Sequence, residues 1–381
     1  MTTVRDIALM ARAIQLAWRG RFSTHPNPRV GCVIARGDLV IGEGWHERAG
    51  EAHAEVRALS QAGPDARGAT AYVTLEPCSH FGRTPPCSRA LIDAGVVRVV
   101  VASEDPNPSV SGRGLQQLRD AGIQVEEGVL REEAAKLNPG FLKRMHTGRP
   151  WVRVKIATSL DGRTAMASGE SKWITGPESR SDVQRLRAMS DAILTGVNTV
   201  LADDPSLTVR RNELGDIGQA TEPSRQPLRL IADRDARTPA SAKILRGGAV
   251  HLFCSEEAMA TGPAQDLSAL GVTLNGVGWQ DRGVNLQQLL NRLGELGINE
   301  LLVEAGPTLA GGFIMEGLVD ELWLYQAPVF LGSEGRPTAR LPFDSMREKI
   351  EWQVTDRRQF GQDTRLILTP RVFKPNPPAV D

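Results

Sequence analysis

Apolar positions along the chain fall into two series of strands and helices. Residues 4–19 carry the spacing of an amphipathic helix, with Arg5, Asp6 and Arg12 set among apolar neighbours. Val30 to Ile34 and Leu39 to Ile41 read as strands around a Gly37-Asp38 turn. Ala52 to Gln61 reads as a helix, Ala69 to Leu75 as a strand and Ser88 to Ala94 as a helix. Val96 to Ala102 is a continuous apolar strand, Gly114 to Ala121 a helix and Ile123 to Glu127 a short last strand. Strands alternating with helices predict a sheet covered by helices, an α/β domain in three layers.

A second α/β series follows Gly148-Arg149-Pro150. Trp151 to Ala157 alternates like a strand, Ser179 to Ser190 reads as a helix and Ala192 to Gly196 as a strand. Leu228 to Ala232, Val250 to Cys254, Glu300 to Glu304 and Glu321 to Pro328 are further strands. The polar stretch 210–227 reads as a surface loop, and the proline-rich 374–381 as a disordered tail. The expected domains are therefore 1–147 and 148–373, and 381 residues make two domains the natural prior.

Composition narrows the function. Basic and acidic side chains balance at 45 each, which argues against a duplex-DNA binder. No apolar run approaches the roughly 18 residues of a membrane span, and the N-terminal helix lacks the apolar core of a signal peptide. Four cysteines in a chain this long make no disulfide framework. They fit a reducing cytoplasm, with some thiols reactive or bound to metal. Cys32 and Cys254 have no partner motif and read as small core residues.

The remaining thiols carry the chemistry. His53-Ala54-Glu55 stands at a helix start, Pro77-Cys78 follows a strand and Cys87 opens the next helix. One imidazole and two thiolates fill three positions of a tetrahedral zinc and leave the fourth for water, as in catalytic zinc sites. Zinc brings the pKa of that water to about 7. Glu55 is the expected proton carrier from the water to the ring nitrogen and the leaving ammonia. On a helix it lies about 200° round from His53, yet at a helix start its carboxylate still reaches the water. The pattern is the H-x-E and P-C signature of zinc deaminases, except that eight residues separate Cys78 and Cys87 where two are usual. The competing reading is a closed structural zinc with His80 as fourth ligand.

Several segments resemble the cytidine-deaminase-type domain of the riboflavin-biosynthesis deaminases and reductases. They are His25-Pro26-Asn27-Pro28-Arg29-Val30-Gly31, His53-Ala54-Glu55, Thr74-Leu75-Glu76-Pro77-Cys78-Ser79-His80, Gly82-Arg83-Thr84-Pro85-Pro86-Cys87 and Glu104-Asp105-Pro106-Asn107-Pro108. The resemblance runs to about residue 372, and its family carries the long insert between the cysteines. It implies a phosphorylated ribosylaminopyrimidine as substrate. Arg83 and His80, on a loop tied at both ends to zinc ligands, would grip its polar and phosphate groups. Asn27, stiffened between two prolines, would read the pyrimidine edge. His46 and Asn107 are further contacts by the same resemblance.

The second series lacks Gly-x-Gly-x-x-Gly after any predicted strand, which argues against a Rossmann site. Instead Val303-Glu304-Ala305-Gly306-Pro307-Thr308-Leu309-Ala310-Gly311-Gly312 leads from a strand into a helix, a setting that suits phosphate. Many strand-to-helix loops look alike, so this pattern needs its context. Lys155, Ser159-Leu160-Asp161-Gly162-Arg163, Ser171-Lys172-Trp173-Ile174-Thr175-Gly176 and the stretch from Gly196 to Arg210 supply it. Together they resemble the reductase domain of the same family, with a dihydrofolate-reductase-like fold and NADPH as cofactor. That resemblance places Ala157, Trp173, Thr199, Asp203, Arg234 and Gly306 to Gly312 at the cofactor, Arg234 by its 2′-phosphate. It places Ser171, Arg187, Leu207, Arg210 and Glu304 at the substrate. Arg187 and Arg210 suit a 5′-phosphate, and Lys155, Asp203 and Glu304 are the candidates to move the reductive proton.

The expected function is thus bifunctional. Zinc-dependent deamination of 2,5-diamino-6-ribosylamino-4(3H)-pyrimidinone 5′-phosphate precedes NADPH-dependent reduction of its ribosyl group to ribityl. A homo-oligomer, dimer or tetramer, is the expected assembly, with neither nucleic acid nor membrane as partner. Two rivals remain. A nucleic-acid base deaminase needs a basic groove and stacking aromatics, whereas only 5% of residues are aromatic. A zinc-stabilised nucleotide sensor would need neither Glu55 nor an open zinc position.

Overall fold

The computed structural model of the chain describes residues 2–79, 85–108, 110–214, 225–280 and 283–371. His80, Arg83 and the 374–381 tail lie outside the described residues. The chain forms two compact units, one through Arg149 and the other from Pro150.

The first unit is built on β1 (Gly31–Arg36), β2 (Leu39–Trp45), β3 (Thr70–Val73), β4 (Arg98–Val101) and β5 (Gln124–Glu127). They lie in the order β2-β1-β3-β4-β5. β1 is antiparallel to β2 and β3, while β3, β4 and β5 are parallel. Period-two alternation divides the sheet between two cores. Cys32, Ile34, Val73, Val99 and Val101 pack with α2 (Ala54–Ala62), α3 (Cys87–Ala94) and α4 (Arg113–Asp120). Val33, Ala35, Tyr72 and Val100 pack on the other face with Met10, Ala13 and Leu16 of α1 (Val4–Ala17). Burying Met10 and Leu16 completely contributes about 1.5–3 kcal/mol each.

Two details place the chemistry. A Cβ on Gly44 would lie 2.3 Å from the Ala54 carbonyl oxygen, so only glycine lets the first turn of α2 sit directly on β2. His53 is the N-cap of α2, in extended backbone, and lies outside the helix proper. Two helices, Arg131–Ala135 and Pro139–Thr147, occupy a stretch for which the sequence reading predicts no element.

The second unit is a nine-stranded sheet. From one edge the strands are Thr273–Gly276, Val250–Cys254, Leu228–Ala232, Ala192–Gly196, Glu300–Val303, Trp151–Thr158, Glu321–Gln326, Asp363–Pro370 and Trp352–Phe360. The first seven are parallel, Asp363–Pro370 runs antiparallel to them, and Trp352–Phe360 is antiparallel in turn to Asp363–Pro370. Glu300–Val303 is buried throughout, as expected for a parallel strand covered on both faces. Leu194, Leu230 and Val154 face one core, and Ile193, Ile231 and Leu302 the other. Helices Val197–Asp203 and Pro307–Met315 begin where Ala192–Gly196 and Glu300–Val303 end. The 210–227 loop is described only at its ends, where Arg211–Glu213 forms one 3₁₀ turn. Cys32 and Cys254 are fully buried in the cores. Among the described residues, no helix is long and apolar enough to cross a membrane.

Candidate active sites

In the first unit His53, Cys78 and Cys87 converge. Their ligand atoms all lie within 4.8 Å of one another. The Nδ1 of His53 is 3.2 Å from the Cys87 sulfur and 3.7 Å from that of Cys78. A tetrahedral zinc at ordinary bond lengths needs N···S separations of about 3.6 Å, so the donor set fits the ion. Hydrogen bonding from Cys87 first, and from His53, holds the Cys78 thiol well below the usual thiol range against the effect of burial. The Cys78 carbonyl accepts the Ser88 N–H, which ties both cysteines to the start of α3.

Glu55 stands at the second position of α2, buried, and its Oε2 has no hydrogen-bond partner among the described residues. Burial above all, and then the charge of Cys78, pushes its carboxyl up to about 7. A buried acceptor left open beside three metal ligands is suited to a proton carrier. Because His53 caps the helix, the 200° separation expected of two helical positions does not apply, and both side chains serve one pocket.

The other predicted contacts separate. The amide of Asn27 donates to Nε2 of His46 at 3.1 Å, and Nδ1 of His46 donates to the Ala52 carbonyl at 3.4 Å. His46 is buried and packs edge-on to His53 with ring centroids 5.2 Å apart. Burial drives its pKa down to about 4, which keeps the ring neutral. His46 therefore orients the Asn27 amide beside the metal ligands. Asn107 lies on the 105–112 loop, its N–H bound to the Asp105 carboxylate at 2.8 Å.

Glu76 is a residue the sequence reading misses. It is buried, and four backbone N–H groups converge on its carboxylate. Asp105 and Gly112 donate to Oε2 at 3.2 and 3.0 Å, and Gly114 and Leu115 to Oε1 at 2.9 and 3.4 Å. Both ends of the Asn107 loop are thus held to the residue two before Cys78. The available signal was an acid directly before Pro77-Cys78, where a strand end leaves no surface to solvate it.

In the second unit a cleft of about 2140 Å³ opens at the C-terminal ends of the parallel strands, where ligands of such sheets bind. It is lined by Lys155, Ala157, Ser171, Trp173, Arg187, Thr199, Asp203, Leu207, Arg210, Arg234 and Glu304, with Gly306 to Leu309 and Gly312. Ala310 and Gly311 do not line it. Ala310 is buried in the core, and a Cβ on Gly311 would meet the Arg340 carbonyl at 2.5 Å. These two positions pack the helix start against its neighbours. Gly306 caps Pro307–Met315 and donates its N–H to Oγ1 of Thr199 at 3.2 Å. No side chain caps that helix, so its first N–H groups suit a pyrophosphate.

Arg187 holds Glu304 with two bonds of 2.6 and 3.0 Å and also reaches the Thr208 carbonyl. Burial raises the Glu304 carboxyl, but Arg187 and Lys155 outweigh it and keep it ionised. The Lys155 Nζ lies 3.8 Å from Glu304, and burial pulls its pKa down. Ser171 donates to Asp203 at 3.2 Å, and Lys172 to the Asp203 carbonyl at 3.0 Å, which closes this side of the cleft.

Comparison with known proteins bears on both units. The cytidine and deoxycytidylate deaminase zinc-binding region matches residues 3–103, and the RibD C-terminal domain matches residues 150–366. The riboflavin biosynthesis protein RibD of Escherichia coli is 51% identical over 370 residues, covering 96% of this chain and 99% of that protein. The chain belongs to the RibD family. The family's Haemophilus influenzae protein is 47% identical, over 96% of this chain and 98% of its own. Among solved structures, Acinetobacter baumannii RibD superposes with a TM-score of 0.89 at 49% identity, covering 97% and 99% of the two chains. A Thermotoga maritima diaminohydroxyphosphoribosylaminopyrimidine deaminase/5-amino-6-(5-phosphoribosylamino)uracil reductase does so at 0.83 and 32% identity, covering 96% and 99%. The chain is accordingly a bifunctional deaminase and reductase of riboflavin biosynthesis, with zinc and NADPH as its cofactors. The nucleic-acid base deaminase and sensor alternatives are not favoured.

Proposed function

We propose that the first unit deaminates 2,5-diamino-6-ribosylamino-4(3H)-pyrimidinone 5′-phosphate and the second reduces the product's ribosyl group. The observation that carries this reading is the buried Glu55 carboxyl, with its Oε2 open, beside a one-nitrogen, two-sulfur donor set. When bound by His53, Cys78 and Cys87, zinc supplies Lewis acidity toward water. Glu55 would carry one proton from the attacking water to the ring nitrogen and then the adduct's hydroxyl proton to the departing amino group, so one water is consumed per ammonia released. Asn27, its amide fixed by His46, reads the pyrimidine, and Asn107 faces it from the loop that Glu76 holds. His80 and Arg83 take its polar and phosphate groups.

In the second unit NADPH, when bound in the cleft, would supply hydride to C1′ of the ring-opened ribosylamine imine, and one proton would complete the amine. Lys155 delivers that proton, since it stands in the cleft beside an ionised Glu304 that Arg187 fixes. Asp203 positions Ser171. Arg210 and Arg187 meet the substrate's phosphate end, while Leu207 packs the substrate against the cleft wall. Ala157, Trp173, Thr199, Arg234 and Gly306 to Gly312 receive the cofactor. The balanced charge supports a small-molecule partner and no nucleic acid, and four free thiols support a cytoplasmic setting. A dimer or tetramer completes the reading.

A two-step assay tests it. The purified enzyme should release ammonia from the substrate without NADPH, and then consume one NADPH per deaminated product. NADPH consumption with the substrate before deamination, at the rate seen after it, would refute the order of steps.

A further inference from the structure

One buried polar side chain at the cleft of the second unit has no place in the chemistry above. Gln184 is only 1% exposed, in helix Pro177–Ala188 at the cleft wall. We propose that Gln184, together with Gln226, positions Arg210 for the substrate's phosphate by holding the main chain at Val209 and Arg210. The proposal rests on the reading of Arg210 as a contact of that phosphate.

The segment that carries Arg210 needs such support. Asp204 and Leu207 both take left-handed backbone, at φ +42° and +48°, which the Cβ of a non-glycine residue disfavours. Strained positions of this kind persist only where the surroundings over-determine them. Yet residues 204–210 join no strand. Among the described residues no main-chain group pairs with Thr208 or Val209. Their polar groups are met by side chains instead.

Helix Pro177–Ala188 supplies three of these side chains. Ser181, Gln184 and Arg187 follow one another at three-residue intervals, so they form a stripe along one side of the helix. Arg187 donates to the Thr208 carbonyl at 3.1 Å, Gln184 accepts the Arg210 N–H on Oε1 at 2.9 Å, and the Ser181 hydroxyl donates to the Glu213 carbonyl. The segment advances as the helix is followed backwards, so the two run antiparallel. Gln226 grips Val209 as well. Its carboxamide accepts the Val209 N–H at 2.7 Å and donates to the Val209 carbonyl at 3.1 Å. One side chain thus replaces a neighbouring strand.

The gripped main chain delivers one group to the cleft. Arg210 lines it, and its guanidinium rests on Glu213 at 2.8 Å. Glu213 is itself tied to the helix through Ser181. A solvent-accessible ion pair alone sets an arginine loosely. Here the main chain is fixed first, which leaves the guanidinium only its own rotamers to search and cuts the ordering cost of binding a phosphate. Chemistry settles the orientation of the Gln184 amide, since only its oxygen accepts an N–H. Removing that oxygen leaves the Arg210 N–H without its acceptor, and the segment must shift to find another.

The test is a mutant cycle on the full-length enzyme, with ribose 5-phosphate as the probe. In calorimetric titration Gln184→Leu should weaken the probe by about tenfold and leave NADPH affinity unchanged. Gln226→Ala, at an exposed position where folding is not at risk, should weaken it by about threefold. In an Arg210→Ala background neither substitution should weaken it further, because a residue that acts through Arg210 then has nothing to position. In turnover, Gln184→Leu should raise KM for the deaminated pyrimidine with kcat within about twofold. Wild-type probe affinity in Gln184→Leu, or a loss that persists undiminished in the Arg210→Ala background, overturns the proposal. Should Gln184→Leu not fold, the same two outcomes are read from Gln226→Ala. Unchanged affinity in Arg210→Ala alone overturns instead the reading of Arg210 as a phosphate contact.

Discussion

At the scale of single residues, burial decides which charges work and which hold the structure together. Glu55 and Asp6 are both buried carboxylates in the first unit. Glu55 has an open oxygen, whereas Asp6 accepts from the Thr3 N–H, the Tyr72 hydroxyl and the Arg98 guanidinium at 2.8, 3.0 and 2.7 Å. Glu55→Gln should therefore retain one zinc per chain and lose ammonia release by roughly 10²–10⁴-fold, with reduction of deaminated substrate intact. A zinc-free variant in metal analysis would make Glu55 a structural residue. Asp6→Asn should leave turnover unchanged and cost the first unit about 3 kcal/mol in denaturant unfolding. The hydrogen bond from Arg98 above all holds the Asp6 carboxyl far below its ordinary range. Its stabilisation is thus complete above the unfolded value of about 4 and is lost as pH falls toward the folded one. The variant's stability should accordingly change less between pH 5 and pH 2 (values on the order of the usual carboxylate range). In the second unit, Lys155→Met should slow reduction by roughly 10²–10⁴-fold without weakening NADPH in a binding titration. Burial lowers the lysine. The wild-type rate should therefore fall with rising pH before an ordinary lysine titrates, and the variant's residual rate should lack that limb.

At the scale of elements, the site is held by connections between loops as much as by helices. Glu76 closes both ends of the Asn107 loop, and Gly114 of α4 packs so near that a Cβ would lie 2.0 Å from the Pro77 carbonyl. Glu76→Gln replaces one acceptor by a donor facing backbone N–H groups. The expected result is full zinc content with KM for the pyrimidine raised at least tenfold and kcat changed less. A loss confined to kcat would show that the loop does not set substrate affinity. The sequence displayed the metal ligands because zinc admits few residue types and holds them at chain positions next to element ends. It displayed Val99 to Val101 and Ala192 to Leu194 because strands buried on both faces are mostly apolar. The hairpin of Trp352–Phe360 and Asp363–Pro370 was hidden for the opposite reason. It forms a sheet edge, mostly half-exposed or exposed, where Arg357, Arg358 and Gln359 break any alternation. Leu286–Glu295 carries a legible leucine period at Leu286, Leu289, Leu290 and Leu293, which reading for strands passes over. Glu76 and Gln184 were hidden because their partners are backbone groups, which leave no mark on residue type.

At the scale of the whole molecule, two cores support two activities. Each unit has its own sheet and helices on both faces. Cutting the chain between Thr147 and Gly148 is expected to give a zinc-containing deaminase piece and an NADPH-binding reductase piece, each active alone. Fragments active only when mixed would show that the cut divides a shared site.

The strand order of the second unit also has a consequence for how the protein is made. Trp151–Thr158 leaves the ribosome before the rest of its sheet, yet its two neighbours are Glu300–Val303 and Glu321–Gln326. At ordinary elongation rates, the intervening stretch takes on the order of ten seconds to synthesise. Throughout that interval Val152, Val154 and Ile156, which end fully or almost fully buried, have no strand beside them on either side. The first unit is complete by then, so the reductase half carries most of the nascent chain's exposure to aggregation. Ribosomes that stall before Gln326 will release a finished deaminase joined to an unpaired, aggregation-prone strand.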